Sequence, residues 1–157
     1  MESLDTFRQL FEYDYWANQE SLSSIASLSI DAERALKIAG HIVGAQRVWL
    51  GRLETPGGAP AAPWPLMTLK ETRAAISELH QRWENLFGHL APERLDEDLV
   101  HRNSKGDESR VPVCDVLMQL VVHGAYHRGQ IAAAVREAGG NPSPTDYILY
   151  VRQQRMK

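Results

Sequence analysis

The stretch PVCDVLMQLVVHGAYHRGQIAAAV, residues 112–135, decides the fold because its apolar side chains recur every three, four and seven positions. That spacing is the period of an amphipathic α-helix and not the alternation of a strand. Pro112 has a backbone geometry that favours the first position of a helix, and Gly139-Gly140 provides a stop. The sequence therefore predicts a long helix that begins at Pro112 and ends before Gly139. Its predicted inward face comprises Val113, Val116, Leu117, Leu120, Gly124, His127, Ile131, Ala134 and Val135.

Three more segments with the helical period precede this one, and a short segment follows it. They run from Ser3 to about Ser27, from Ser29 or Asp31 to about Leu53, from an N-cap at Thr68 to about Leu90, and from Thr145 to Gln154. Four long amphipathic helices in 157 residues predict an all-α, four-helix bundle that forms a single domain over residues 1–157.

Two connections have distinct compositions. Thr55–Pro65 contains four of the chain's eight prolines, and proline blocks helical hydrogen bonding, so this segment is predicted to be a long crossover that carries Trp64 back onto the bundle. Glu93–Arg110 is polar, and Asn103–Gly106 at its centre suits a turn. Two short strands beside that turn are compatible with the pattern.

Composition excludes several classes of function. Seventeen Lys and Arg against 20 Asp and Glu give a net charge of −3, so the basic face that nucleic-acid binding requires is not expected. The N-terminus lacks a secretory pattern, and no apolar run reaches the ~18 residues of a membrane span, so we expect a cytoplasmic protein. With one cysteine, Cys114, against six histidines, any metal would be held mainly by imidazole and carboxylate groups.

Two histidines lie four residues apart in the helix of residues 112–135. His123 and His127 therefore share one helical face, from which two imidazoles reach a single metal ion in zinc-binding helices. Gly124 follows His123 where the zinc metalloproteases have their glutamate general base, so that class of enzyme is excluded.

His41 lies between Ile38 and Ala45 at helical spacing, and so on the apolar face of the second helix. Alone, such a histidine is more often a hydrogen-bonded core residue, but together with His123 and His127 a shared site between two helices is the better interpretation. Three imidazoles leave one tetrahedral position open, which is typical of catalytic zinc sites. The remaining histidines are interpreted as surface or ordinary structural residues: His80, His89 and His101.

Asp14 and Asn18, four residues apart in the first helix, are expected to border the bundle interior. Two interpretations remain open. In the first, Asp14 and Asn18 orient metal-bound histidines or substrate, as carboxylates and carbonyls near metal sites commonly do. Alternatively, they form a polar flank that hydrogen-bonds to another helix.

Four segments resemble the DinB family, also called DinB/YfiT-like metalloproteins, over nearly the whole chain. They are Tyr13–Asn18, Gly40–Leu50, His123–Ile131 and Thr145–Tyr150. The resemblance implies that His41, His123 and His127 bind a divalent ion, commonly zinc or nickel, in a four-helix bundle of unusual connectivity that is often a homodimer. The chain differs from the family at Asp14, where asparagine is frequent, and near Gly124, where a glutamate or similar residue is usual.

The resemblance also implies a class of reaction. The best-understood relatives are metal-dependent transferases and isomerases that use low-molecular-weight thiols. The first hypothesis is therefore a metal-dependent thiol S-transferase acting on a small molecule, with a hydrolase as its variant. A non-enzymatic, metal-stabilised dimeric stress-response protein is the second hypothesis, and a metal-free helical interaction module is the third.

Overall fold

The computed structural model describes residues 3–29 and 32–156, and it confirms the predicted helical bundle. The four long helices are α1 (Leu4–Ala26), α2 (Glu33–Glu54), α3 (Leu69–His89) and α4 (Val113–Glu137), followed by the short helix α5 (Tyr147–Arg155). A 3₁₀ turn (Pro92–Asp96) and two strands, β1 (Asp98–Arg102) and β2 (Glu108–Pro112), lie between α3 and α4. No helix in the described part of the chain is long and apolar enough to span a bilayer.

Side-chain caps explain where two of the helices begin. Ser3 accepts a hydrogen bond from the backbone N–H of Thr6 at 3.2 Å, and α1 begins at the next residue, as predicted. Thr68 and Glu71 form a reciprocal capping box, in which each side chain accepts a backbone N–H of the other. These local bonds satisfy N–H groups that have no partner within the helix.

The starts of α2 and α4 were predicted less well. α2 begins at Glu33 after Ala32, whose side chain provides no cap, rather than at Ser29, and the alternative start at Asp31 lies outside the described residues. Pro112 precedes α4 because it is also the last residue of β2, where it pairs with Asp98. Tertiary pairing thus takes Pro112 out of the helix that its own geometry favours.

The polar segment after α3 folds as an antiparallel hairpin, with the two short strands that were compatible with its sequence pattern. β1 and β2 pair from Asp98–Pro112 to Arg102–Glu108, and Asn103 Oδ1 accepts two backbone N–H groups in the turn. Leu99 is buried in the bundle core and anchors the hairpin there. The hairpin adds a small sheet to an otherwise helical chain.

The bundle core is formed by apolar faces of all four long helices. Its largest fully buried apolar side chains are Phe7, Leu22, Ile25, Val43, Leu50, Leu79, Trp83, Val113, Val116, Leu117 and Ile131. Phe11 packs against Trp83 and Phe87 with ring centroids 4.6 and 5.1 Å apart. Burying side chains of this size stabilises the fold by roughly 1.5–3 kcal/mol each relative to exposure.

The proline-rich crossover runs back along α2 at unusually close range, which confirms the predicted connection. A Cβ atom on Gly44 would lie 2.4 Å from the carbonyl oxygen of Pro63, and one on Gly40 would lie 2.7 Å from that of Pro65. Both contacts involve backbone atoms, so a side chain at either position would displace the crossover. The two glycines therefore set the position of Trp64, which lies between these prolines in the sequence.

We expect Gly44→Ala to lower the free energy of unfolding by about 1–3 kcal/mol, because its methyl group overpacks against the crossover backbone. Gly51→Ala is the matched control in the same helix, since a Cβ there meets no atom within 4 Å. The control should gain about 0.5–1 kcal/mol from the better helix propensity of alanine. Urea denaturation of both variants tests the difference, and equal midpoints would contradict the close approach.

Candidate metal centre

Three histidines from two helices converge at one side of the bundle. His41 comes from α2, and His123 and His127 come from successive turns of α4. The Nε2 atoms of His41 and His123 are 3.0 Å apart, and one ligand atom from each of the three rings lies within 4.8 Å of the others. Two imidazole nitrogens bound to one tetrahedral zinc ion are about 3.4 Å apart, because each Zn–N bond is about 2.0–2.1 Å long. The spacing therefore fits a shared divalent ion.

Hydrogen bonds on the far side of two rings fix their tautomers. His41 Nδ1 lies 2.8 Å from the carbonyl oxygen of Pro63, and His127 Nδ1 lies 2.8 Å from Oε1 of Gln130. Both oxygens are acceptors, so each Nδ1 atom carries the proton and each Nε2 atom presents a lone pair. This is the orientation that metal-binding histidines adopt when a neighbouring carbonyl holds the ring.

The environment of His41 and His123 favours their neutral form by lowering the pKa of each imidazole. Burial, together with the charge that His127 and His41 would carry when protonated, lowers the pKa of His123 to about 4. Burial and the proximity of His127 also lower the pKa of His41, although its bond to Pro63 opposes the shift. Only neutral imidazole binds a metal ion, so His41 and His123 need not release a proton to bind one near neutral pH. The donor set suits zinc or nickel.

The rim of the histidine cluster is aromatic and open to solvent. The ring of Trp64 stacks on His41 with centroids 3.6 Å apart, and Tyr126 contacts the edge of His127 at 5.1 Å. Trp64 is 47% exposed and Tyr126 is 65% exposed. Within residues 3–29 and 32–156, no carboxylate or thiol joins the three imidazoles at ligand distance. An ion held here would therefore keep a position for an exchangeable ligand.

Asp14 and Asn18 lie in a buried polar network beneath the helix that carries His123 and His127. Asp14 accepts hydrogen bonds from Arg128 at 2.5 Å, from Gln46 at 2.7 Å and from Asn18 at 2.9 Å. In the described structure these bonds join α1 to α2 and α4, which matches the second of the two interpretations left open by the sequence. That either residue orients a metal ligand or substrate stays a prediction.

Arg128 and Gln46 are two residues of this polar network that the sequence did not indicate. Arg128 follows His127 directly and is 2% exposed, and Gln46 also accepts a bond from Trp83 Nε1 at 3.1 Å. Burial by itself would lower the pKa of Arg128, but Asp14 and Tyr13 together outweigh it, so the pKa is raised. Nothing local to an arginine indicates that it is buried. The only indication in the sequence was Asp14, because a carboxylate at the bundle interior needs a polar partner.

Gly124 explains how this ion pair fits beneath the histidines. A Cβ atom at position 124 would lie 2.5 Å from Asp14 Oδ1 and 2.8 Å from Arg128 Nη1. A larger residue would therefore displace the pair.

The remaining histidines lie apart from this cluster. His89 is exposed at the end of α3, and His101 packs against Trp49 with ring centroids 5.0 Å apart. His80 stacks on Tyr15 and shares a second group of candidate ligands with Glu12 and Glu84, which the sequence did not indicate. Burial and the neighbouring Glu84 raise the pKa of Glu12, while His80 opposes the shift.

We expect Gln130→Ala to weaken zinc binding by about 10–100-fold, the usual cost of losing the group that orients a ligating histidine. The variant removes the acceptor of His127 Nδ1 and leaves all three imidazoles in place. Gln119→Ala, an exposed change in the same helix, is the control. Competition against a chromogenic chelator measures both affinities. Equal affinity for the two variants would mean that Gln130 does not orient the ring.

Comparisons with known proteins agree with the fold. The family model described as "DinB family" matches residues 1–156. Protein DinB of Bacillus subtilis (strain 168) is 27% identical, with 91% of this chain and 92% of that protein covered. The protein YrdA of the same organism is 28% identical, with 88% and 84% covered. The crystal structure of a DinB-like protein from Bacillus cereus ATCC 10987 superposes with a TM-score of 0.71 at 21% identity, covering 91% of this chain and 97% of that one.

Proposed function

Because this chain belongs to the DinB family, we propose that it is a metal-dependent enzyme of the thiol S-transferase type. It would hold a divalent ion, zinc or nickel, through His41, His123 and His127, and use a low-molecular-weight thiol to attack a small electrophile. One observation carries the proposal. The three imidazoles converge at ligand distance, and no further His, Cys, Asp or Glu side chain of the described residues joins them there.

The groups at and around the histidine cluster would have different roles in the proposed reaction. The three Nε2 atoms form the binding face, and the Pro63 carbonyl and the Gln130 side chain hold two of the rings in position. A divalent ion bound there would supply Lewis acidity that lowers the pKa of a thiol or water in the open position. Neutral imidazoles leave the charge of such an ion uncompensated, which favours an anionic sulfur or oxygen ligand.

The aromatic rim supports a small, partly apolar second substrate. Trp64 and Tyr126 are both exposed, contact the histidine rings and offer apolar surface at the mouth of the site. In the proposed transfer, the thiol loses its proton to bulk water and its sulfur forms a bond to an electrophilic carbon. The bond from that carbon to the leaving group breaks, and the leaving group departs with the electron pair.

The same donor set is compatible with a hydrolase, in which water takes the place of the thiol. It is also compatible with a non-enzymatic role, because a metal that bridges α2 and α4 would stabilise their packing in a dimeric stress-response protein. The open position favours catalysis over a purely structural role, since structural zinc sites are normally closed by four protein ligands.

The test compares zinc-loaded and nickel-loaded protein with the His127→Ala variant. Cysteine and glutathione serve as thiols and 1-chloro-2,4-dinitrobenzene as the electrophile, while p-nitrophenyl acetate tests hydrolysis. We expect a metal-dependent rate of thioether formation that the variant lacks. Ester hydrolysis without thiol transfer would support the hydrolase instead. Equal rates for the wild-type protein and the His127→Ala variant, together with a large fall in the melting temperature of the wild-type protein when its metal is removed, would support the structural role.

A further inference from the structure

A cavity of about 610 Å³ lies between α2, the crossover, Arg82 of α3 and the β-hairpin, outside the histidine cluster. None of the three clustered histidines lines it. Its charged lining residues are Arg47, Arg52, Arg82, Arg102 and Glu108. We call this cavity the arginine pocket. A volume of ~300–1,000 Å³ is typical of sites for small molecules.

Two of these charged residues are already neutralised. Arg82 donates hydrogen bonds to Glu54 at 2.5 and 3.4 Å, with Glu78 at 3.7 Å. Glu108 accepts hydrogen bonds from Arg110 at 2.9 and 3.2 Å. The remaining three arginines therefore give the pocket a positive charge, in a chain whose net charge is −3.

The three remaining guanidinium groups have no carboxylate partner among the described residues. Arg52 lies over the ring of Trp49 at 4.4 Å and donates to the Arg102 carbonyl at 3.1 Å. Arg102 itself donates to the carbonyl of Gly106 at 2.7 Å, and Arg47 makes no hydrogen bond or ion pair within the described ranges. Burial lowers the pKa of Arg52. Arg47 and Arg52 are half-buried and Arg102 is exposed. A half-buried cation without a counter-ion is costly, which makes an anion the complementary ligand.

Part of the pocket wall leaves room for a ligand. A Cβ atom on Gly51 or on Gly57 would meet nothing within 4 Å, so the wall is open beside both glycines. His101 in the same wall has a buried Nδ1 atom with no hydrogen-bond partner in the part of the chain that the structure describes. The walls thus combine free guanidinium donors, an unpaired imidazole nitrogen and space.

We propose that the arginine pocket binds a small organic anion that carries carboxylate or phosphate groups. Guanidinium groups recognise both groups through paired, charge-assisted hydrogen bonds. A partly open cavity of about 610 Å³ admits a metabolite-sized molecule. The site is independent of the proposed metal chemistry, because it shares no lining residue with the histidine cluster.

The test is a site-resolved titration of isotope-labelled protein with inorganic phosphate and with citrate at constant ionic strength. Amide resonances of Gly51, Gly57 and Gly58 report on the pocket, and those of His123 and His127 report on anion binding at any metal present. We expect saturable shifts at the three glycines. The probe that binds more tightly assigns the ligand as a phosphate or a carboxylate. Shifts confined to the histidines, or uniform small shifts, would overturn the proposal.

Two variants separate charge from shape. Arg47→Gln combined with Arg52→Gln should weaken binding by about tenfold or more, because two charge-assisted hydrogen bonds are removed. Arg155→Gln, an exposed change in α5, removes one positive charge elsewhere and should leave affinity unchanged. Gly51→Leu keeps every arginine but fills the pocket, and it should also weaken binding. Retention of wild-type affinity by both pocket variants would overturn the proposal even if one of them folded poorly.

Discussion

Replacing His127 with alanine is expected to lower the affinity for zinc and nickel by more than about a hundredfold, because losing only an orienting partner already costs about 10–100-fold. The variant leaves two imidazoles, and neither has a carboxylate close enough to replace the lost ligand within the described residues. Purified wild-type protein should therefore carry close to one equivalent of metal, and the variant almost none. Elemental analysis and titration calorimetry measure the two quantities.

A matched control distinguishes the loss of a ligand from the loss of any histidine. His89→Ala removes an exposed imidazole at the end of α3, so it should retain wild-type metal content and affinity. Metal should also raise the melting temperature of wild-type protein and of this control, but not that of His127→Ala, since a ligand stabilises only the state that binds it. Full metal retention by His127→Ala would refute the three-histidine centre.

Replacing Arg128 with methionine is expected to lower the free energy of unfolding by about 3–5 kcal/mol, the usual cost of removing one partner of a buried ion pair. Asp14 would keep only its bonds to Gln46 and Asn18 and would remain a buried carboxylate without a counter-ion. Both members of the pair are nearly inaccessible to solvent. Urea denaturation of single and double variants measures the effect.

The double variant, in which Asp14→Asn accompanies Arg128→Met, removes the unpaired charge and should recover much of the lost stability. Arg34→Met is the control for losing an ion pair at the surface. Arg34 and Glu137 are each 63% exposed, so the control should cost no more than about 1 kcal/mol. If Arg128→Met costs no more than the Arg34 control, the buried pair is not important for stability.

The helical architecture could be predicted because its signals are local. The capping groups Ser3 and Thr68 act on N–H groups within one turn, and the apolar period of residues 112–135 identifies the buried face of α4 directly. The predicted boundaries failed where a distant partner intervened. Pro112 is the clearest case, because its pairing with Asp98 ends β2 where the sequence predicts the first residue of a helix.

The candidate metal site likewise has one part that the sequence predicts and another part that depends on how the helices pack. His123 and His127 share a face because they lie one helical turn apart, which the sequence alone determines. The approach of His41 depends on the packing of α2 against α4, and the only indications of that packing were the apolar face of α2 and the family resemblance. Orientation of the rings by Pro63 and Gln130 was not predicted at all, since a carbonyl oxygen at this position results from the path of the crossover.

The sequence by itself determined the presence of the helices, the caps of α1 and α3, the crossover and the single-cysteine, histidine-rich composition, since each depends on a few neighbouring residues. Only the tertiary structure decided that Arg128 and Gln46 enclose Asp14, and that three arginines face a cavity without counter-ions. These features join residues from distant parts of the chain: Gln46 and Arg128 lie 32 and 114 positions from Asp14, and Arg52 lies 50 positions from Arg102. Local patterns specify which face of a helix is buried, but the partner across that face is fixed only when the helices pack together.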